Sequence, residues 1–173
     1  ASMKRKMPSA SCQLSGNQVL AAKELDDALG MKAGEVANGK KFDKGLNEVA
    51  KAYGKSGHIQ TRMDPTPEFD DAAQKVTFKI SVNEGPQYHM GTVEFKGFPA
   101  DDAFILNKRW GLRSGDVYDQ TYASRFLRDD AGEILSRIAK ARQSAGKPLP
   151  NIGTLERPNR QTLIVNLMIE LKD

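Results

Sequence analysis

The sequence predicts an α+β fold in which two small domains follow each other, each with the element order β-α-α-β-β. Three observations predict it: blocks that recur at a fixed spacing, apolar stripes at helical spacing in two segments of each copy, and strict alternation of apolar and polar residues where each copy ends. In each domain, two helices should cover one face of a three-stranded mixed sheet.

The internal repeat is the strongest signal. Residues 13–16 match residues 94–97, and residues 30–36 match residues 111–117, both at a separation of 81 positions. The alternating apolar residues of 76–82 match those of 163–169 at a separation of 87 positions. The change of separation predicts that the second copy carries six extra residues between its helices and its last strand.

The first copy begins with a short strand over 11–15. A helix is predicted over 18–29, with Asn17 as its N-cap and Gly30 as a left-handed C-terminal glycine. A second helix is predicted over about 40–54, because its apolar residues recur every three to four positions. These residues are Phe42, Leu46, Val49, Ala50 and Tyr53.

A half-exposed strand should follow and form an edge of the first sheet, ahead of a central last strand over 74–83. Its residues are His58, Ile59, Gln60, Thr61, Arg62 and Met63. The segment 64–67, with its two prolines, should terminate it.

The second copy is predicted to start with a strand that bulges near Gly91. A helix should begin at Asp101 and end at Gly111. One long helix is predicted over about 120–143, and it should hold most of the insertion. A short edge strand near 151–156 and a last strand over 161–172 complete the copy.

The domain boundaries follow from a break between two alternating segments. We expect a tail or cloning remnant over 1–10, a first domain over 11–84 and a second over 87–173. The joint is formed by Glu84, Gly85 and Pro86, with Tyr88 packed just after it. Glycine frees the backbone here, and proline fixes φ and removes a hydrogen-bond donor.

No constellation of residues predicts catalysis, a cofactor or a metal. The single cysteine excludes an internal disulfide, and a metal shared by His58 and His89 is an alternative that depends on their proximity. The net charge of +4 leaves open a small basic module that binds nucleic acid. Acidic residues are interspersed throughout, so we expect no nucleic-acid partner.

The segments Gly30–Val36, Tyr53–Ile59 and Val82–Tyr88 together resemble the POTRA (polypeptide-transport-associated) family. The resemblance covers residues from about 11 to 173. It implies tandem domains of a bacterial outer-membrane assembly factor, a periplasmic location and no enzymatic activity. It also implies attachment to the membrane through a C-terminal barrel that this sequence does not contain. The POTRA region of a two-partner secretion or cell-division protein is the alternative within the family.

The functional hypothesis concerns the edge strand over 58–63. An edge strand presents unpaired backbone groups to an incoming strand, and such pairing tolerates many side chains. The resemblance implies partners of that kind: unfolded strands of outer-membrane proteins, or accessory assembly subunits. The second copy is expected to bind less well, because prolines at 148 and 150 precede its edge strand.

Overall fold

The structure is a computed structural model that describes residues 8–172. The chain divides into two compact units. Of the described residues, 8–54 and 58–86 form the first unit, and 55–57 and 87–172 form the second. The predicted tail over 1–10 lies outside the described residues up to position 7, and residues 9 and 10 already belong to a strand.

The first unit is a mixed sheet with two helices. Its elements are β1 (Ser9–Ser15), α1 (Ala22–Leu29), β2 (Glu35–Val36), α2 (Gly39–Lys55), β3 (Arg62–Asp70) and β4 (Lys75–Asn83). The strand order is β2-β1-β4-β3, with β1 parallel to β4 and the other pairs antiparallel. The predicted fold class is confirmed, but the first sheet has four strands rather than the predicted three, because the two-residue β2 pairs with β1.

Both helices pack on the face of the sheet that carries the alternating residues of β4. Ile80 and Val82 join the helix residues Leu25, Val49 and Tyr53 in one buried core. Gly45 of α2 is also buried there, and a Cβ at this position would lie 2.2 Å from the carbonyl oxygen of Leu29. This glycine therefore permits a close crossing of the two helices.

The second unit repeats this plan with an extra helix. Its elements are β5 (His89–Lys96), α3 (Ala100–Arg109), α4 (Tyr122–Asp129), α5 (Gly132–Ser144), β6 (Asn151–Asn159) and β7 (Ile164–Lys172). The strand order is β5-β7-β6, with β5 parallel to β7 and β6 antiparallel to it. The predicted bulge is confirmed, because the register shifts between Met90 and Val93. The single helix over 120–143 is wrong, since the chain breaks between α4 and α5 at the buried Ala131.

The predicted helix ends are partly wrong. Asn17 is not the N-cap of α1, because its side-chain amide donates to the carbonyl of Leu20 and the helix begins at Ala22. Gly30 has the predicted left-handed conformation, with φ of 65°. Gly111 has no positive φ, and α3 instead closes with Trp110 in an extended conformation. α3 begins at Ala100, so Asp101 lies inside its first turn rather than at the cap.

The two sheets correct the size of the insertion. A Cβ on Gly16 would lie 2.3 Å from the carbonyl oxygen of Val82, and one on Gly97 would lie at the same distance from that of Leu171. Gly16 and Gly97 are 81 positions apart, whereas Val82 and Leu171 are 89 apart. The second unit therefore has eight extra residues rather than six, and α4 has that length of 8 residues.

Helix α4 supplies an aromatic cluster to the second unit. Phe126 is fully buried, and its ring centroid lies 4.9 Å from that of Trp110. The ring centroids of Tyr122 and Trp110 lie 4.8 Å apart, and the two rings meet edge to face. The Trp110 indole N–H donates to the carbonyl of Leu112 at 2.8 Å, so its polar atom is satisfied inside the cluster.

Candidate protein-binding site: the sheet edges and the joint

The edge strand of the first sheet is displaced along the chain from its predicted position. Strand β3 covers Arg62–Asp70, so only Arg62 and Met63 of the predicted 58–63 segment belong to it. Residues 58–61 form a turn instead. The prolines at 65 and 67 do not end the strand, because an edge strand tolerates residues that cannot donate to the ladder.

These prolines determine what the β3 edge can bind. In an antiparallel pair, alternate residues direct their N–H and C=O groups to the partner strand. The carbonyl of Val82 points toward Gly16, on the β1 side of β4. Because backbone groups alternate in direction along a strand, the N–H and C=O groups of the odd-numbered residues of β4 point toward β3. Pro65 and Pro67 oppose the even-numbered positions of β4 and therefore point away from it. The outer edge of β3 thus lacks two successive N–H donors.

Strand β6 presents a more complete edge. Thr154 and Glu156 occupy the positions equivalent to Pro65 and Pro67, as the register of β6 with β7 matches that of β3 with β4. The outer edge of β6 therefore has N–H donors at Ile152, Thr154 and Glu156, and loses one only at position 158, which is proline. Among residues 8–172, no strand other than β7 pairs with β6.

The residues predicted for the joint form a second, compact arrangement in the first unit. The Oε1 atom of Glu84 accepts hydrogen bonds from the backbone N–H groups of Gln18 and Val19, at 2.7 and 2.9 Å. The same atom accepts from the Tyr53 hydroxyl at 2.9 Å. One carboxylate thereby ties the end of β4 to α2 and to the loop that follows β1.

Residues 58–61, which were predicted to belong to the edge strand, also take part in this arrangement. His58 is buried, and its Nδ1 lies 3.0 Å from the carbonyl oxygen of Gly85. The Thr61 hydroxyl approaches the carbonyls of His58 and Glu84 at 2.9 and 3.0 Å. The structure therefore brings the two predicted groups of site residues together as one latch after β4, which we call the Glu84 latch (Tyr53, His58, Thr61, Glu84 and Gly85).

The electrostatics of the latch favour an ionised Glu84. Partial desolvation opposes the charge, but the N–H groups of Val19 and Gln18, the Tyr53 hydroxyl and the nearby His58 outweigh it and hold the pKa of Glu84 below its ordinary value. Burial, followed by the hydrogen bond to Glu84, raises the pKa of Tyr53. At neutral pH the pair is thus a phenol donating to a carboxylate.

Tyr88, the last residue predicted at the joint, is a core residue of the second unit. It is fully buried, and its carbonyl accepts the N–H of Tyr118 at 2.9 Å. Its hydroxyl has no hydrogen-bond partner among the described residues. Across positions 8–172, no three or more His, Cys, Asp or Glu side chains gather where they could hold a metal ion. None of the helices in that range is both long and apolar enough to cross a bilayer.

Comparison with protein families gives a match for the part of the chain that contains β1, the latch and the first sheet. Residues 10–85 match the POTRA family, described as a surface antigen variable number repeat. The first unit is a POTRA domain. The second unit, which lies outside the matched residues, repeats the order of the three long strands of the first.

Two curated relatives contain similar sequences. The chain is 24% identical over 171 residues to the outer membrane protein assembly factor BamA of Neisseria meningitidis serogroup B, covering 92% of this chain and 20% of that protein. It is 26% identical over 114 residues to a Treponema pallidum protein provisionally named an outer membrane protein assembly factor, covering 66% of this chain and 14% of that protein. The chain thus spans a fifth or less of the length of these relatives.

Solved structures show the same tandem POTRA fold. The POTRA3-5 fragment of Haemophilus influenzae BamA aligns with a TM-score of 0.66 and 15% identity, over 96% of this chain and 66% of that chain. Haemophilus ducreyi BamA lacking POTRA domains 1-3 aligns with a TM-score of 0.64 and 14% identity, over 96% of this chain and 29% of that chain.

The edge strand predicted near 151–156 is confirmed as β6 (Asn151–Asn159), but no local pattern indicates its row of outward N–H donors or the contact between Tyr53 and Glu84. The β6 edge has a signal in the repeat, but it emerges only at a separation of 89, which aligns Pro65 with Thr154. The Tyr53–Glu84 contact joins residues 31 positions apart, and no short motif encodes it.

Proposed function

We propose that this chain is the periplasmic, non-enzymatic binding region of an outer-membrane protein assembly or secretion factor. It binds extended segments of client polypeptides or of accessory subunits by adding them as a strand to a sheet edge. The observation that carries this proposal is the outer edge of β6, with successive donors at Ile152, Thr154 and Glu156 on a POTRA fold. The names of the two assembly-factor relatives support the same role.

Backbone chemistry favours β6 over β3 for strand addition, the reverse of the expectation that the second copy binds less well. An incoming strand needs both donors and acceptors at every second residue. On β3, the donors of Met63 and Phe69 are separated by six residues, about 20 Å of extended chain at ~3.3 Å per residue. An incoming strand would leave two of its carbonyl groups unsatisfied there, whereas β6 satisfies three in succession.

Side chains add little obstruction at the β6 edge. Thr154 is exposed, and the Glu156 carboxylate is held by the Tyr118 hydroxyl at 2.8 Å and by the Gln120 amide at 3.1 Å. Leu155 points to the opposite face and is 46% exposed, so it offers an apolar surface to a neighbouring strand. The edge therefore combines free backbone groups with an apolar contact, which suits strands of alternating polarity.

An NMR titration tests the proposal. The labelled chain is titrated with a synthetic ten-residue peptide of alternating apolar and polar residues, the pattern of a barrel strand. We expect amide shifts at Ile152, Thr154 and Glu156. Thr154→Pro should weaken binding at least tenfold, because it removes the central donor, whereas Thr154→Val keeps the donor and should bind like the parent.

The repeat provides matched controls. Proline already occupies the equivalent position 65 in the first unit, so the fold accommodates Thr154→Pro. The reverse change, Pro65→Thr, restores a donor to β3 and should bring amide shifts to Met63. A peptide N-methylated at alternate residues should lose binding to the parent chain. Equal affinity of the parent and Thr154→Pro, or shifts confined to residues away from both edges, would refute strand addition at β6.

A further inference from the structure

Two residues of opposite charge are neighbours on the edge strand β6, Glu156 and Arg157. Glu156 lies opposite the buried Leu167 of β7, whereas Arg157 lies opposite Asn166. Residues directly opposite each other in an antiparallel pair share a face, and neighbours along a strand point to opposite faces. Glu156 is therefore on the buried face of the sheet and Arg157 on the other face. We call these two residues the edge charge pair.

Neither residue of the edge charge pair has an oppositely charged partner among residues 8–172. The side chain of Arg157 is exposed and forms no ion pair there. The Glu156 carboxylate accepts hydrogen bonds from two neutral groups, the Tyr118 hydroxyl at 2.8 Å and the Gln120 amide at 3.1 Å. A carboxylate has about four acceptor positions, so Glu156 keeps acceptor capacity for a cation. The buried Tyr118 holds this carboxylate in place at the edge.

The equivalent positions of the first unit carry no such pair. Glu68 of β3 corresponds to Arg157 at the separation of 89 positions, and its Oε1 atom lies 2.7 Å from the Nζ atom of Lys79 on β4. Pro67 corresponds to Glu156 and has no charge. The charge at the β3 edge is thus paired within its own sheet, whereas β6 leaves two opposite charges for a strand from outside.

We propose that the edge charge pair selects the strand that adds to β6 by the order of two charges along that strand. In antiparallel addition, an acidic residue of the incoming strand lies across from Arg157, and the next residue, a basic one, lies across from Glu156. An apolar residue follows and contacts the exposed Leu155. The partner is an extended polypeptide segment with these three residues in that order. This inference rests on the proposed strand addition and adds its selectivity.

Two peptides of identical composition and net charge test the order of the charges. Acetyl-Thr-Glu-Lys-Val-Thr-Thr-Val-Ser-amide has the proposed order, and the second peptide exchanges its Glu and Lys. Each is titrated into the labelled chain at low ionic strength, with the amide signals of Ile152, Thr154 and Glu156 as reporters. We expect the first peptide to bind about five- to tenfold more tightly, because the exchange turns two attractive cross-strand pairs into two repulsive ones. High salt should reduce this preference, since it screens exposed charges.

Two variants with the same change of net charge separate selection at the edge from general charge attraction. Arg157→Glu should abolish the preference, because each peptide then meets one attractive and one repulsive position. Arg160→Glu lies in the turn after β6 and should leave the ratio of the two affinities unchanged.

The outcomes distinguish this inference from the strand addition on which it rests. Equal affinities of the two peptides for the parent chain, with shifts at residues 152–156, would overturn the selectivity and leave strand addition intact. An undiminished preference in Arg157→Glu would overturn the selectivity as well. If neither peptide shifts residues 152–156, strand addition fails, and the selectivity fails with it.

Discussion

The Glu84 latch predicts a large and pH-dependent loss of stability in the variant Glu84→Gln. The substitution keeps the shape of the side chain and one acceptor oxygen, and it removes the charge. In the native protein, a single oxygen atom of Glu84 accepts three hydrogen bonds, from Gln18, Val19 and Tyr53. The variant must therefore replace three charge-assisted hydrogen bonds with neutral ones.

The magnitude follows from the strength of these bonds. A hydrogen bond to a charged group contributes a net ~1.5–3 kcal/mol, and a neutral bond contributes about half of that. Because the carboxylate is partly exposed, we take the lower value for each bond. The loss over three bonds then lowers the free energy of unfolding of the first unit by about 2 kcal/mol. That loss is a factor of about 30 in the unfolding equilibrium constant.

The pH dependence separates charge from shape. Because the folded-state pKa of Glu84 lies below its ordinary value of 4.5, the unfolded state takes up the proton more readily. The stabilisation is therefore fully present above pH 4.5 and declines as the pH falls through the folded-state pKa. The difference in unfolding free energy between the parent and Glu84→Gln should shrink over the same range, since glutamine does not titrate.

Urea unfolding followed through NMR signals of the first unit measures the effect, with Leu25 and Val49 as core reporters. Glu68→Gln is the control, because Glu68 forms an exposed ion pair with Lys79 that should contribute less than about 0.5 kcal/mol. Equal unfolding free energies of the parent and Glu84→Gln at pH 7 would refute the reasoning, as would a difference that does not change between pH 7 and pH 3.

Two further predictions concern the second unit. Gly97→Ala should lower the unfolding free energy of the second unit by at least about 2 kcal/mol, because Gly97 has a φ of 79° and the Cβ of alanine would meet the Leu171 carbonyl. Urea unfolding monitored by NMR measures this loss, and an unchanged midpoint would contradict the prediction. Tyr118→Phe should lower the unfolding free energy by about 1–2 kcal/mol, because it removes the hydrogen bond to Glu156. Tyr88→Phe should be neutral or stabilising, because the Tyr88 hydroxyl has no partner among the described residues. Thermal unfolding compares the two variants, and a larger loss of stability for Tyr88→Phe would contradict these hydrogen-bond assignments.

The sequence predicted those parts of the fold that depend on local patterns. The α2 stripe, the alternation in β4 and the glycine after α1 each specify a conformation within a few residues, and the structure confirms them. The break between α4 and α5 escaped prediction because the apolar spacing continues across Ala131, which is itself buried. Periodicity cannot separate one long helix from two consecutive helices that share a buried face.

The candidate site was harder to predict because it depends on pairing between distant strands. Prolines at 65 and 67 indicate a strand end in isolation, and only the pairing with β4 shows that they sit on the outward side of an edge strand. His58 lies in a segment that alternates like an exposed strand, yet its side chain is buried and contacts the Gly85 carbonyl, 27 positions away. Such contacts leave no local periodicity in the sequence.

The position of the single tryptophan gives the protein an internal optical reporter. Trp110 is packed against Phe126 and Tyr122 in the second unit, and the chain contains no other tryptophan. Excitation at the red edge of its absorption therefore selects one of two domains that share the order of their three long strands. The melting of the second domain can be followed in the unlabelled, unmodified chain, and the difference from the total change in circular dichroism reports the first.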